Sequence, residues 1–324
     1  MYLYPIKFIP VLKEKVWGGK KLNELLHKQS SSDFIGESWE ISGVEGSISV
    51  VENGQFKGKN LNQLIEEYKS DLVGKSVFKH FGNTFPLLFK FIDAKEDLSV
   101  QLHPEDTVAK KRHNSFGKTE MWYIMQADND AHVIVGFNQK MEKELYLKHL
   151  NKSTLQTILH FEKVKEGDVF YITPGRVHAI GAGVLLAEIQ QTSDITYRIY
   201  DWDRPDINGQ MRELHQDLAM DIIDFSDYKN LQAVNKEKEA QTLISNAYFE
   251  TSLLKIENKT VERDLSKIDS FVVYMCVAGS ASINIKTNRE QIEKGECVLI
   301  PAKANQVHIE SVDAKLLEVY VPQQ

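Results

Sequence analysis

The chain has 324 residues, enough for one large or two moderate domains with a full core. Its net charge of −7 comes from interspersed acidic and basic residues, with no basic stripe to follow a phosphate backbone, so nucleic acid is excluded as a partner. No run reaches membrane-spanning length, the start "MYLYPIKFIPVLKEKVWGG" carries two prolines and several lysines where a secretion signal is apolar, and Cys276 and Cys297 form no CxxC pair; a cytoplasmic protein with no membrane partner, no disulfide framework and no thiolate metal site is expected.

In chain order, "NLNQLIEEYKSDLVG" (60–74) sets Leu61, Leu64, Ile65, Tyr68 and Leu72 on one helical stripe. "FPLLFKFIDA" (85–94) reads as a strand, and so do "AHVIVGF" (131–137), "GDVFYITPG" (167–175), "GVLLAEIQQ" (183–191) and "ITYRIYDW" (195–202), all rich in β-branched and aromatic residues between turn formers. "MEKELYLKHLNKSTLQTILHF" (141–161) carries a looser helical pattern. Residues 226–241 are the most polar stretch and read as a linker, after which "FVVYMCVAGSASINI" and "QIEKGECVLIPAKANQVHIE" begin a second strand series. This predicts an all-β chain with helical inserts: a catalytic region over 1–230 and a smaller β-barrel over 231–324.

A weak repeat joins the two halves. "EGDVFYITPGRVHAI" and "KGECVLIPAKANQVHIE" each read Gly, a short strand, Pro, a turn and Val-His, presenting His178 in one copy and His308 in the other. His308 has no upstream His or Glu cluster, so the second copy is expected to hold no metal.

The chemistry concentrates in "DLSVQLHPEDTVAKKRHNSFGKTEMWYI" (97–124). Residues two apart in a strand share a face, so Ser99, Gln101 and His103 point one way, as do Lys118, Glu120 and Trp122. Buried polar groups in such numbers need partners. Two imidazoles, a carboxylate and a weaker neutral oxygen, from His103, His178, Glu120 and Gln101, suit a divalent first-row metal with a position left for water or substrate. A single histidine is more often an ordinary core or surface group; the shared face and the Pro-Gly-Arg-Val-His turn favour the metal.

"SVQLHP", "GKTEMWY", "TPGRVHAIGAGVLLAEIQ" and "TYRIYDWDR", with "KVWGGKKL" near the start, resemble the short bacterial form of type I mannose-6-phosphate isomerase, a zinc-dependent branch of the cupin superfamily. The resemblance implies two cupin (jelly-roll) β-barrels and one Zn2+ per chain, held by Gln101, His103, Glu120 and His178, with Arg198 as the catalytic arginine. It also implies interconversion of mannose 6-phosphate and fructose 6-phosphate through an enediolate, by a monomer or small homo-oligomer acting on a sugar phosphate.

Two candidates remain for the proton-transfer base. Lys118 shares the face of Glu120, and Glu188 is a carboxylate in the apolar run "VLLAEIQ" that can equally orient Arg198. Phosphate recognition needs cationic or hydroxyl donors. Ser99 and Lys90 are candidates, although either can instead serve a buried carboxylate, and Arg176 is a third. Trp17, beside Gly18 and Gly19, either stacks on a sugar face or anchors the chain. Two other functions compete: a cupin dioxygenase using iron or manganese, disfavoured by Gln101 in place of a first histidine, and a sugar-phosphate-binding regulator without catalysis, disfavoured by the full ligand set with Arg198.

Overall fold

A computed structural model describes residues 3–206, 208–226 and 239–323. The linker expected over 226–241 therefore lies largely outside the described residues, and so does the division at 230. Three antiparallel sheets dominate. Sheet I runs in the order Val169–Ile172, Glu120–Ala127, Val184–Gln191, Leu87–Ala94, Ile35–Ile41, Val11–Gly19. Sheet II runs Tyr197–Tyr200, Val100–Leu102, His178–Ile180, His132–Phe137, Leu159–Lys163. Sheet III, beyond residue 239, runs Ala240–Ser245, Glu250–Asp264, Gln306–Tyr320, Val272–Ile285, Asn288–Glu293, with Cys297–Ile300 paired to Val272–Ile285.

The chain is mostly β, with helical inserts. None of the three sheets closes on itself among the described residues, where the sequence leads one to expect two closed barrels. Sheets I and II instead pack face to face: Ile92, Ile124 and Leu186 of sheet I meet Val133, Val135 and Ile180 of sheet II in one apolar cluster. Sheet III wraps around its own cluster, which includes Ile256, Tyr274, Ile283 and Val307; register shifts in the long strand Val272–Ile285 bend it.

Two central strands of sheet I, Leu87–Ala94 and Val184–Gln191, are buried along their whole length. One face looks toward sheet II. The other, with Phe89, Phe91 and Ile189, joins a cluster containing Leu61, Leu64 and Leu72 from the helical insert and Phe271, Met275, Leu317 and Val319 from sheet III. Burial on both faces explains why these strands read as nearly unbroken apolar runs. Polar residues inside them, Lys90 and Glu188 above all, therefore have to face something polar. The shared cluster also ties sheet III to the first half: Phe271 packs against Phe85 with the rings tilted and their centroids 4.5 Å apart, and it is fully buried. Phe271→Ala is expected to cost about 3–5 kcal/mol, read from a urea or thermal unfolding midpoint.

The helical insert departs from a single helix. Asn60 and Gln63 cap the helix Leu61–Tyr68 reciprocally, each side-chain oxygen accepting from the other's amide at 2.9 Å. Lys69 then takes φ of 45°, in the left-handed region, which ends this helix before a short second one, Ser70–Val73. The helix expected over 141–161 is confined to Lys143–Asn151; Leu159–Lys163 is the edge strand of sheet II. Pairing with His132–Phe137 supplies hydrogen bonds there that local periodicity does not reveal.

Candidate active site

Helix Asp106–His113 carries the chain from sheet II to sheet I, and this crossover assembles the polar residues. The strand beginning at Val100 stops at Leu102; His103 follows it, directly before Pro104, which has no N–H to continue a ladder. Lys118 precedes the strand that begins at Glu120. Thus the two alternating runs do not extend one strand face. They end on facing sheets, and the side chains meet between them.

His103, Glu120 and His178 are buried together, and their ligand atoms all lie within 4.8 Å of one another. His103 Nε2 is 3.5 Å from Glu120 Oε2, and His178 Nε2 is 3.4 Å from Glu120 Oε1. Each imidazole is oriented from behind. His103 Nδ1 lies 2.8 Å from the Ile195 carbonyl and His178 Nδ1 2.8 Å from the Arg176 carbonyl. A carbonyl only accepts, so both Nδ1 atoms carry protons and both Nε2 atoms present lone pairs to the carboxylate.

Burial pushes the His178 imidazole down to about 3 and holds His103 well below its usual range, with Lys118 adding to the effect on His103. Burial, with Glu188 in support and Lys118 opposing, pushes the Glu120 carboxyl up to about 7. Glu120 Oε1 and His178 Nε2 have no hydrogen-bond partner. Unprotonated imidazoles and a buried carboxylate with acceptors turned toward each other are a donor set that fits a divalent cation.

Gln101 stands in the same row. The pairing puts it opposite His178 on one side and Arg198 on the other, and its Oε1 accepts from Ser99 Oγ at 3.1 Å. Lys118 reaches into the cluster, with Nζ 2.9 Å from Glu120 Oε2 and 3.1 Å from His103 Nε2. Glu188 is occupied differently: Lys90 Nζ lies 2.9 Å from its Oε1, and Trp122 Nε1 donates to its Oε2 at 2.9 Å.

A cavity of about 310 Å3 opens onto His178, Gln101 and Lys118, and Trp17, Lys90, Ser99, Glu188 and Arg198 also line it. Sequence reasoning missed Lys13, Lys15, Glu37, Trp39, Asp194 and Arg212, which complete its wall. Glu37 and Trp39 lie two apart in the strand Ile35–Ile41 and so share a face, but Gly36, Ser38 and Glu40 beside them hide any polar–apolar alternation; Arg212 sits in an irregular segment with no periodic signal. Six cationic side chains, Lys13, Lys15, Lys90, Lys118, Arg198 and Arg212, face three acidic ones on this wall, so the space favours an anion.

The arginines are held by acceptors outside the cavity. Asp201, buried, takes Arg212 Nε at 2.6 Å and Nη2 at 2.5 Å in a bidentate pair. Arg198 Nη1 donates to the Glu213 carbonyl at 2.9 Å, while its buried Nε has no hydrogen-bond partner. Burial and the charge of Arg212 lower the Arg198 pKa.

Arg176 lies away from the cavity, donating to Asp224 at 2.7 Å and to the Ser226 carbonyl at 2.8 Å, so it braces the turn before His178. Gly18 and Gly19 serve chain packing, since a Cβ would stand 2.4 Å from the Phe34 carbonyl oxygen and 2.5 Å from Asp93 Oδ2 respectively. His308 lies half-exposed, 3.5 Å from Glu262, and no second metal-type cluster occurs among the described residues. A larger hollow of about 790 Å3, walled by Tyr4, Asn53 and Lys286, shares no residue with the first. No helix among the described residues is long and apolar enough to cross a membrane.

Residues 6–129 match the family model of the phosphomannose isomerase type I catalytic domain, and residues 239–321 that of the mannose-6-phosphate isomerase cupin domain. The mannose-6-phosphate isomerase ManA of Bacillus subtilis is 36% identical over 302 residues, covering 92% of this chain and 93% of its own. The mannose-6-phosphate isomerase of Streptococcus mutans is 33% identical over 297 residues, 90% of each chain. The crystal structure of the mannose 6-phosphate isomerase from Bacillus subtilis superposes with a TM-score of 0.87 at 33% identity, covering 98% of this chain and 99% of that one. Likeness of this extent takes in sheet III as well as the buried cluster, and it makes the chain an enzyme of the type I mannose-6-phosphate isomerase family.

Proposed function

We propose that this enzyme interconverts mannose 6-phosphate and fructose 6-phosphate through an enediolate, using one zinc ion held by Gln101, His103, Glu120 and His178. The observation that carries the reading is the pair of unprotonated Nε2 atoms facing Glu120 beside a cationic cavity. When bound, zinc supplies a Lewis acid for the negative charge that develops on the two sugar oxygens. The donor set, two imidazoles, one carboxylate and one neutral oxygen, supports a divalent first-row metal, and zinc is the choice that likeness to the family implies.

The chain's own residues perform the proton transfer. Lys118 Nζ, as the neutral amine, takes the proton from the carbon next to the carbonyl of the opened sugar and returns it to the former carbonyl carbon, while the hydroxyl proton on the one sugar oxygen passes to the other. Glu188 is the weaker candidate because Lys90 and Trp122 already engage its oxygens. Arg198 stands as a fixed cation beside Gln101, its Nε making no hydrogen bond and lying 4.0 Å from Asp201 Oδ2, and it lines the cavity where an oxyanion would form. Ser99 and Lys90 contact the substrate, Lys90 while neutralising Glu188, and Trp17 closes the wall with its indole.

In architecture, we read 1–230 as a catalytic cupin-type unit and 231–324 as a second one without a metal site; the separate core of sheet III and the half-exposed His308 support this. Cys276 and Cys297 are free and buried, in keeping with a cytoplasmic enzyme. The test is fructose 6-phosphate formation from mannose 6-phosphate by purified protein, after chelation and again after zinc is restored. Activity should vanish and return. A protein that is inactive with zinc and with other divalent metals, yet still binds the sugar phosphate, would be the regulator instead.

A further inference from the structure

Lys118 and Glu120 depend on three consecutive residues for their placement, and the hydrogen bonds of that segment lead out to sheet III. Gly117 N donates to Asp106 Oδ1 at 2.8 Å, Lys118 N to the Pro104 carbonyl at 3.1 Å, and Thr119 N to Gln191 Oε1 at 2.9 Å. Gln191, buried at the end of its strand, returns its Nε2 to the same Asp106 Oδ1 at 3.0 Å. One carboxylate oxygen thus pins the segment directly at Gly117 and, through Gln191, at Thr119. There is no slack at this point: a Cβ on Gly117 would stand 2.6 Å from the Asp106 amide nitrogen.

The other oxygen of Asp106 belongs to sheet III. Tyr248 OH donates to Asp106 Oδ2 at 2.8 Å. Tyr248 sits on the turn between Ala240–Ser245 and Glu250–Asp264, where Asn246 Oδ1 accepts from the amides of Tyr248 at 2.7 Å and of Phe249 at 3.0 Å, and Phe249 is fully buried. The hydroxyl is therefore presented from a fixed turn.

We infer that Tyr248, acting through Asp106 and Gln191, is a positioning residue for Lys118, so that sheet III takes part in catalysis by holding the base in place. This rests on Lys118 being the base. An ångström of misplacement in a reacting group can cost up to about 10²-fold in rate. Loss of one restraint among several should cost less.

The experiment compares zinc-loaded full-length wild type with Tyr248→Phe, which keeps the ring and its packing, and with Asp106→Ala and the double variant. Tyr248→Phe should lower kcat about tenfold with KM within twofold, unchanged zinc content and an unchanged melting temperature. The double variant should be no slower than Asp106→Ala, because the two act as a unit. Amide exchange at Gly117 and Thr119 should speed up about tenfold in Tyr248→Phe, while Glu250–Asp264 stays protected. Wild-type kcat or unchanged exchange in Tyr248→Phe overturns the proposal. Lys118→Ala at wild-type kcat overturns the base assignment, and the positioning role with it; a wild type that does not turn over mannose 6-phosphate overturns the functional reading, which the exchange measurement does not use.

Discussion

His178→Ala should leave a folded protein that has lost both its zinc and its isomerase activity, with turnover down on the order of 10³-fold or more. The reason is geometric. His178 Nε2 faces Glu120 and has no hydrogen-bond partner, and its ring is held by the Arg176 carbonyl behind it. Of the two histidines it is His178 that lines the cavity wall, so its removal takes away the imidazole nitrogen on the substrate side. Metal content by atomic emission and the isomerase assay check the two halves separately, and His178→Gln, which keeps bulk and one donor oxygen, controls for the loss of a buried side chain. An alanine variant that turns over without metal would remove His178 from the ligand set.

Lys118→Ala should keep zinc and lose turnover by about 10²- to 10⁴-fold, the range expected for a general base. Its ammonium bridges Glu120 Oε2 and His103 Nε2 but supplies no lone pair to a cation while protonated, so zinc content is the measurement that separates a base from a ligand. Glu188→Gln provides the contrast. It keeps an acceptor for Trp122 Nε1 but strips the charge opposite Lys90, a pair whose side chains are both about 5% exposed (6% and 4%). Breaking a buried ion pair from one side costs about 3 kcal/mol or more, so its main effect should be on the unfolding midpoint. If Lys118→Ala stays active while Glu188→Gln is dead at unchanged stability, the proton-transfer role passes to Glu188.

Some of this site was legible in the residues. Alternation placed Ser99 with Gln101, and Lys118 with Glu120 and Trp122, because period-2 side-chain direction is a local property of extended backbone. Lys90 and Glu188 stood out as charges in apolar runs, and the pairing makes them direct neighbours on adjacent strands. The turn "TPGRVH" announced His178 at a strand start, which is where it lies. Less local features were not legible. Nothing in "LQTILHF" reveals that Leu159–Lys163 pairs at a sheet edge, and nothing in "DLVG" reveals that the helix breaks at Lys69.

Residue type and local period, then, determined on their own which side chains can bind a metal and which direction each points along its strand. Only the tertiary structure decided that Glu120 comes from one sheet and His103 and His178 from the facing one, that Asp201 orients Arg212 at the cavity wall, and that Tyr248 from sheet III reaches Asp106. The physical reason is range. Side-chain direction is set within two residues by backbone geometry, whereas distance between sheets, depth of burial and the partner of a buried charge are set by packing among segments that lie from 11 residues apart, as for Asp201 and Arg212, to 142, as for Asp106 and Tyr248.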